Sequence, residues 1–292
     1  MQIVDRVVSL AHRRPTAYGG GMSATDRRRI IKIRDGRRSA GPDDIAVEEA
    51  LEIVVDGKRV STTMRTPGHD IELAIGWLAS EGIIESVTDT ERVRECFDCE
   101  TDADGDPYTR RSIHVTTRTK PQVTPRLHAT SSACGLCGDD LIALTLARGE
   151  AIPTGSEFDL ESVLAFTPRM LSAQAHFATS GGLHAAALFA PNDEIVCVRE
   201  DVGRHNAVDK VLGWARTHEL TPLHGYAMQV SGRAAAEIVH KAVIAGVSLL
   251  CAVSAPTTMA VDLARAANMT LVGFTRGGGL NIYSAPERII QH

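Results

Sequence analysis

Aromatic residues make up only 4% of the 292-residue chain, so its core must be filled mainly by Ala, Val, Ile and Leu. Long apolar runs are missing too. Each is broken by Gly, Pro or charge well short of the ~18 residues that a membrane helix needs. The N-terminus lacks the apolar segment and small-residue cleavage site of a secretory signal. There is no basic excess: the formal net charge is -5, whereas a general nucleic-acid binder needs a basic face. A local basic pocket stays allowed, because net charge governs solubility and nonspecific partners rather than one cleft. Neither G-x-G-x-x-G nor a P-loop occurs, which argues against a nicotinamide enzyme and a P-loop NTPase. No H-x-E occurs, and Ala133 rather than proline precedes Cys134, so the zinc-deaminase signature is not met. Cysteine is sparse, with six residues, too few for a disulfide-dense scaffold. The expectation is a cytoplasmic protein with no nucleic-acid or membrane partner.

What is present is organised in three parts. Residues 1–46 carry Arg-rich clusters, Gly19-Gly20-Gly21 and Gly41-Pro42 with little apolar periodicity, and read as a disordered extension. Met22 offers a second start. Residues 47–127 read as a small α+β unit. Two strands flank the hairpin turn Asp56-Gly57, Asp70 is placed to cap a helix that stops at Gly82, and a second strand pair lies around 93–95 and 112–117. Residues 128–292 read as an α/β domain. A helix follows Gly138, a helical stretch follows Pro168, and a strand covers Leu183–Ala190. Strands at 226–230, 248–253 and 270–274 then alternate with helices at 234–245 and 258–267, the pattern of a parallel sheet.

Three loops leave the carboxyl ends of those last strands: Ser231-Gly232-Arg233, Ser254-Ala255-Pro256-Thr257 and Thr275-Arg276-Gly277-Gly278-Gly279. Ligands of open α/β sheets collect outside those ends, helix N-termini offer N–H groups to anions, and Arg233 and Arg276 are bidentate phosphate donors. The pattern fits a pocket for a phosphorylated ligand, although Gly and Pro are also ordinary connectors. His205 and Asp209, four apart, share a helix face, with a capped and solvated helix start as the plainer reading. His184, inside an apolar strand, reads as a satisfied core histidine.

Four cysteines form two C-x-x-C pairs, Cys96/Cys99 and Cys134/Cys137. The second pair lies among glycines before a helix start, a setting that favours a thiolate. A thiolate there can carry sulfane sulfur by the displacement chemistry of thiol–disulfide exchange. The residues alone leave two rivals open: a dithiol switch, and a four-cysteine zinc site whose gap is longer than usual. Cys197 and Cys251 read as small core residues.

Several stretches resemble the FdhD family, the formate dehydrogenase accessory sulfurtransferases. They are Arg65–Asp70 with Glu72–Gly76, Cys134–Gly138, Gly181–Ala187, Glu200–Lys210, Ser231–Arg233, Ser254–Thr257 and Gly273–Gly277. The resemblance spans about Glu48 to Tyr283. It implies a cytidine-deaminase-like α/β domain without deaminase activity, preceded by the smaller α+β unit. It implies a sulfurtransferase that takes persulfide sulfur from a cysteine desulfurase and passes it to the bis-molybdopterin guanine dinucleotide cofactor of molybdenum for formate dehydrogenase. Cys134 matches the persulfide cysteine and Cys137 its partner. Phe274, Thr275, Arg276, Gly277, Gly278 and Gly279 match the stretch associated with the guanine dinucleotide. A homodimer is also implied. Cys96/Cys99 stand outside the family motif, and a zinc-stabilised cofactor chaperone is the alternative.

Overall fold

The computed structural model describes residues 23–101, 107–121, 138–149 and 152–291. The chain is mixed α/β, with a smaller N-terminal α+β unit. Its first element is a hairpin, β1 (Thr25–Arg34) with β2 (Arg37–Ala46), paired residue for residue. The expectation of disorder up to Ala46 is therefore corrected for Thr25–Ala46. The sequence signal was weak because the ribbon buries little: Ile33 is 71% exposed. It is held instead by its own ladder, by ion pairs such as Lys32–Asp43 at 2.8 Å, and at its base by Val47 N–H donating to the Ala24 carbonyl.

The α+β unit is a four-stranded sheet in the order β4-β3-β6-β5. Its strands are β3 (Glu49–Val55), β4 (Lys58–Arg65), β5 (Thr90–Thr101) and β6 (Pro107–Thr117). Asp56 and Gly57 have φ of 47° and 79°, the two left-handed positions of the tight hairpin turn expected there. Helix α1 (Asp70–Ser80) packs Leu73, Ala74 and Leu78 into one apolar core with Leu51, Ile53 and Ile113 of the sheet. Asp70 does not cap it. His69, at φ 59°, holds the cap position without a side-chain bond, because the Asp70 carboxylate is taken by Arg65 at 2.9 and 2.7 Å.

The C-terminal domain is a six-stranded sheet in the order β13-β12-β11-β10-β8-β9. Its strands are β8 (His184–Phe189), β9 (Ile195–Asp201), β10 (Ala227–Val230), β11 (Leu249–Ala252), β12 (Thr270–Arg276) and β13 (Gly279–Ser284). Strands β10, β11 and β12 run parallel, whereas β8, β9 and β13 join as antiparallel partners. A short pair, β7 (Phe158–Asp159) and β14 (Ile289–Ile290), lies apart. The helices are α2 (Gly138–Arg148), α3 (Leu160–Ala173), α4 (Ala175–Ser180), α5 (Arg204–Thr217), α6 (Ala236–Ile244) and α7 (Thr258–Ala266). Helix α3 begins before Pro168 and contains it, unlike the stretch expected to follow the proline. Val163, Phe166 and Met170 are buried across the break, so both halves stay on one core despite the lost backbone bond.

The two units meet where α1 lies on α5. A side chain at Gly76 would fall 1.9 Å from the Asp209 carbonyl oxygen, and one at Gly213 would fall 1.8 Å from that of Glu72. Only glycine lets the two backbones come this close. Buried charge closes the joint around them. Lys210 Nζ sits 2.6 Å from Asp201 Oδ2 and donates to the Thr66 carbonyl at 2.9 Å, while Thr66 N–H donates to Asp201. Arg199 of β9 grips Glu72 of α1 at 2.6 and 2.9 Å. Burial alone would raise the Glu72 pKa, but the Arg199 bonds, aided by His69, hold the carboxyl down at about 2.

Two outcomes are expected. Gly213→Ala, which in an open helix would stabilise by about 1 kcal/mol, is expected here to destabilise by about 1–3 kcal/mol or more; an unchanged or raised Tm would contradict the close crossing. The Glu72–Arg199 contribution is full above the ordinary Glu value of 4.5 and is lost as pH falls toward about 2. Thermal unfolding of Glu72→Gln should therefore show less loss of stability over that acid range than the parent protein.

Candidate functional site

The three loops expected to form a crevice do meet at one end of the sheet, and backbone hydrogen bonds stitch them together. Ser254 N–H donates to the Gly232 carbonyl at 3.2 Å, and Phe274 N–H donates to the Ser254 carbonyl at 3.2 Å. Ala234 and Pro256 form a parallel bridge just beyond. The loops after β10, β11 and β12 thus make a continuous floor, with α6 and α7 rising from the first two. Thr257 caps α7 through its hydroxyl, which accepts from Ala260 N–H.

The third segment differs in form from the loop expected. Strand β12 continues to Arg276, and Gly277 and Gly278, at φ of 67° and 79°, make a tight turn into β13. A register shift separates Gly273 from Arg276, a bulge of the kind that re-aims side chains beside binding sites. Within it Phe274 adopts φ 57°, strained for a bulky residue, and its ring is 37% exposed. Its neighbour Thr275 is buried and fixed from below: Thr275 Oγ1 lies 2.9 Å from Thr167 Oγ1 of α3 and accepts from buried Gln229 Nε2 at 3.1 Å. The result is a pinned threonine flanked by an exposed aromatic ring and an exposed arginine.

Arg233 and Arg276 are both exposed, and neither pairs with a carboxylate among the described residues. Elsewhere the arginines of the joint, Arg65 and Arg199, are saturated by Asp70, Glu49 and Glu72. Guanidinium groups left without acid partners at a crevice mouth are available to an anionic ligand. Phe274 and Thr275–Gly279 run from the end of β12 through the turn into β13.

Two histidines stand differently from the sequence reading. His184 is half-buried at the start of β8, its Nδ1 3.3 Å from Ser231 Oγ; burial first, then Arg204, pushes its pKa down. It faces the loop after β10 rather than the core. The signal available was its place two residues after Gly182, at a strand end. His205 does not meet Asp209. The Asp209 carboxylate accepts from Lys241 Nζ of α6 at 2.7 and 2.8 Å and from Ser80 Oγ at 3.3 Å, and burial pushes its carboxyl up to about 6. His205 Nε2 lies 3.3 Å from Glu237 Oε2, yet burial, then Lys241 and Arg204, pull the imidazole down to about 3. It is therefore neutral, and the contact is no ion pair. Nor is this helix start solvated, since Asn206, Asp209 and Lys210 are all buried.

Cys134 and Cys137 lie outside the described residues. Cys96 and Cys99 sit on β5, whose pairing with β6 runs without a shift from Arg92 to Thr101. Cys197 and Cys251 are buried free thiols; burial pushes Cys197 up to about 12 and Cys251 higher, so neither is a nucleophile. No helix among the described residues is long and apolar enough to cross a membrane.

Comparison with known proteins agrees with this architecture. The protein called sulfur carrier protein FdhD in Streptomyces coelicolor is 43% identical over 274 residues, covering 91% of this chain and 95% of its own length. That of Mycolicibacterium paratuberculosis is 44% identical over 280 residues, covering 92% and 100%, and that of Sulfolobus acidocaldarius 39% over 262 residues, covering 89% and 97%. A solved structure from Desulfotalea psychrophila, named for a formate dehydrogenase accessory role, superposes with a TM-score of 0.70 over 92% of this chain and all of its own, at 21% identity. That likeness shows a shared fold. The sequence model of the FdhD/NarQ family matches residues 46–290, from β2's last residue through β14, and with relatives this similar over nearly the whole length, the chain belongs to the FdhD/NarQ family.

Proposed function

We propose that the chain is a persulfide carrier that serves formate dehydrogenase by delivering sulfur to a molybdenum cofactor held at the crevice. The observation that carries this reading is a crevice floored by three stitched loops and edged by Arg233, Arg276 and Phe274, in a chain whose close relatives are named sulfur carriers. The donor set fits bis-molybdopterin guanine dinucleotide. Arg233 and Arg276 offer guanidinium N–H groups to its pyrophosphates. The exposed Phe274 ring offers a face for a guanine base, and Gly277–Gly279 let backbone approach it. The bound cofactor would supply the metal centre that accepts sulfur.

In the loading step, the Cys134 thiolate attacks the outer sulfur of a persulfide on a cysteine desulfurase. A new S–S bond forms at Cys134, the donor's S–S bond breaks, and the donor cysteine leaves as a thiolate. Cys137 then serves as the resolving thiol. Its attack on the Cys134 sulfur expels hydrosulfide and leaves a Cys134–Cys137 disulfide, the two thiols supplying the two electrons. The homodimer implied by the resemblance belongs to the same proposal.

Two measurements test the halves separately. After incubation with an active desulfurase and cysteine, mass spectrometry is expected to find one added sulfur on the Cys134-containing peptide and none in Cys134→Ala; no adduct on the parent protein would remove the carrier mechanism. Calorimetry with GDP is expected to show binding that Arg276→Ala weakens about tenfold or more, as loss of a charged hydrogen bond implies. Equal affinity in both proteins would count against the crevice as the nucleotide site.

A further inference from the structure

Beside the proposed nucleotide edge, at the β10 end of the crevice, a separate group of side chains converges on one backbone position. An atom built at the Cβ position of Gly232 would lie 3.7 Å from both Cε1 and Nδ1 of His184 and 3.8 Å from Cδ of Arg204. These residues come from three elements: β8, the loop after β10, and the first turn of α5.

The hydrogen bonds fix how they are turned. Ser231 Oγ accepts from Ala185 N–H at 2.9 Å and lies 3.3 Å from Nδ1 of His184, which orients the ring; its Nε2 has no partner among the described residues. Arg204 has no carboxylate partner among them either, and its Nε–H is buried with no acceptor, the kind of orphaned donor that calls for an explanation. The acids nearby are otherwise engaged. Asp201 accepts from Thr66, Gly203, Asn206 and Lys210, and Glu237 lies against His205. What remains is an imidazole, a guanidinium with an unsatisfied N–H and a glycine backbone that admits close approach. Such a set suits a ligand that only accepts hydrogen bonds and carries negative charge.

We propose that His184, Ser231, Gly232 and Arg204 form a second anion subsite of the crevice, which takes a phosphoryl group at a position distinct from the Phe274–Gly279 edge. It deepens the crevice reading and rests on it for the wider ligand: a molecule with phosphates at both edges would be anchored at two points along the stitched floor. The set contains no thiol and no carboxylate available to a metal, so its role is to bind and orient. His184 and Arg204 would touch the ligand, and Ser231 positions His184.

The test follows the His184 ring by NMR in the full-length protein, its signal assigned with His184→Gln, during titration with inorganic phosphate and then pyrophosphate. A saturable shift of the His184 Cε1–H resonance is expected, with affinity reduced about tenfold or more by Arg204→Gln and unchanged by Arg276→Ala. Gly232→Ala provides a second variant, because its new methyl meets its neighbours only at ordinary contact distance. It should retain the parent Tm yet weaken phosphate binding by crowding the pocket. No His184 response to either anion, or an equal response in the parent and both variants, would overturn the subsite. If GDP binding proves insensitive to Arg276→Ala while His184 still answers phosphate, the reading of the Phe274–Gly279 edge falls and this subsite stands.

Discussion

The joint that positions the β10 edge of the crevice depends on two glycines. Gly76 on α1 and Gly213 on α5 let the helix backbones touch at distances that any side chain would forbid. Because the approach is so close, the polar ends of both units come within hydrogen-bond reach. Thr66 meets Asp201, Lys210 reaches the Thr66 carbonyl, and Arg199 closes on Glu72. Thr66, Asp201, Lys210 and Glu72 are buried, and the Arg199 side chain is 15% exposed. Each therefore requires the others in place, and the joint behaves as one buried polar network, which is costly when incomplete and specific when complete.

The same joint sets the geometry of the site at one remove. Asp201 ends β9 and holds Gly203 N–H and Asn206, which fixes where α5 starts. Arg204 stands in that first turn, one residue beyond Gly203, and so its approach to Gly232 is decided by contacts made to the other unit. On the opposite edge, Thr275 is pinned by Gln229 and Thr167 from beneath the sheet, leaving Phe274 and Arg276 turned out on either side. The crevice is thus held from two directions: from the inter-unit joint at β10, and from the α3 side at β12.

Much of this was legible from residue order. The alternation of short apolar strands with helices after Tyr226 gave the parallel strands to within a few residues, because those strands are buried on both faces and read as unbroken apolar runs. The three loops followed from it directly. What stayed hidden was set by tertiary contact. Nothing local marks Gly76 or Gly213 as a crossing point, since both sit in ordinary helical sequence. The spacing of His205 and Asp209 suggested a pair, yet Asp209 faces Lys241 from another helix. Asp70 had the chemistry of a cap but was claimed by Arg65. The β1–β2 ribbon escaped because it has almost no core, and core burial is what makes periodicity readable.

That ribbon also bears on the behaviour of the protein in concentrated solution. A two-stranded sheet has two open edges, and on its own is barely stable in water; with Ile31, Ile33 and Ile45 exposed, it is a template for adding strands from other chains. Its strands carry Arg27, Arg28, Arg29, Arg34, Arg37 and Arg38 beside Asp26, Asp43 and Asp44, and charged side chains along an open edge disfavour pairing with a further strand. The charged clusters that made this segment look unstructured thus also guard the open edges of the hairpin.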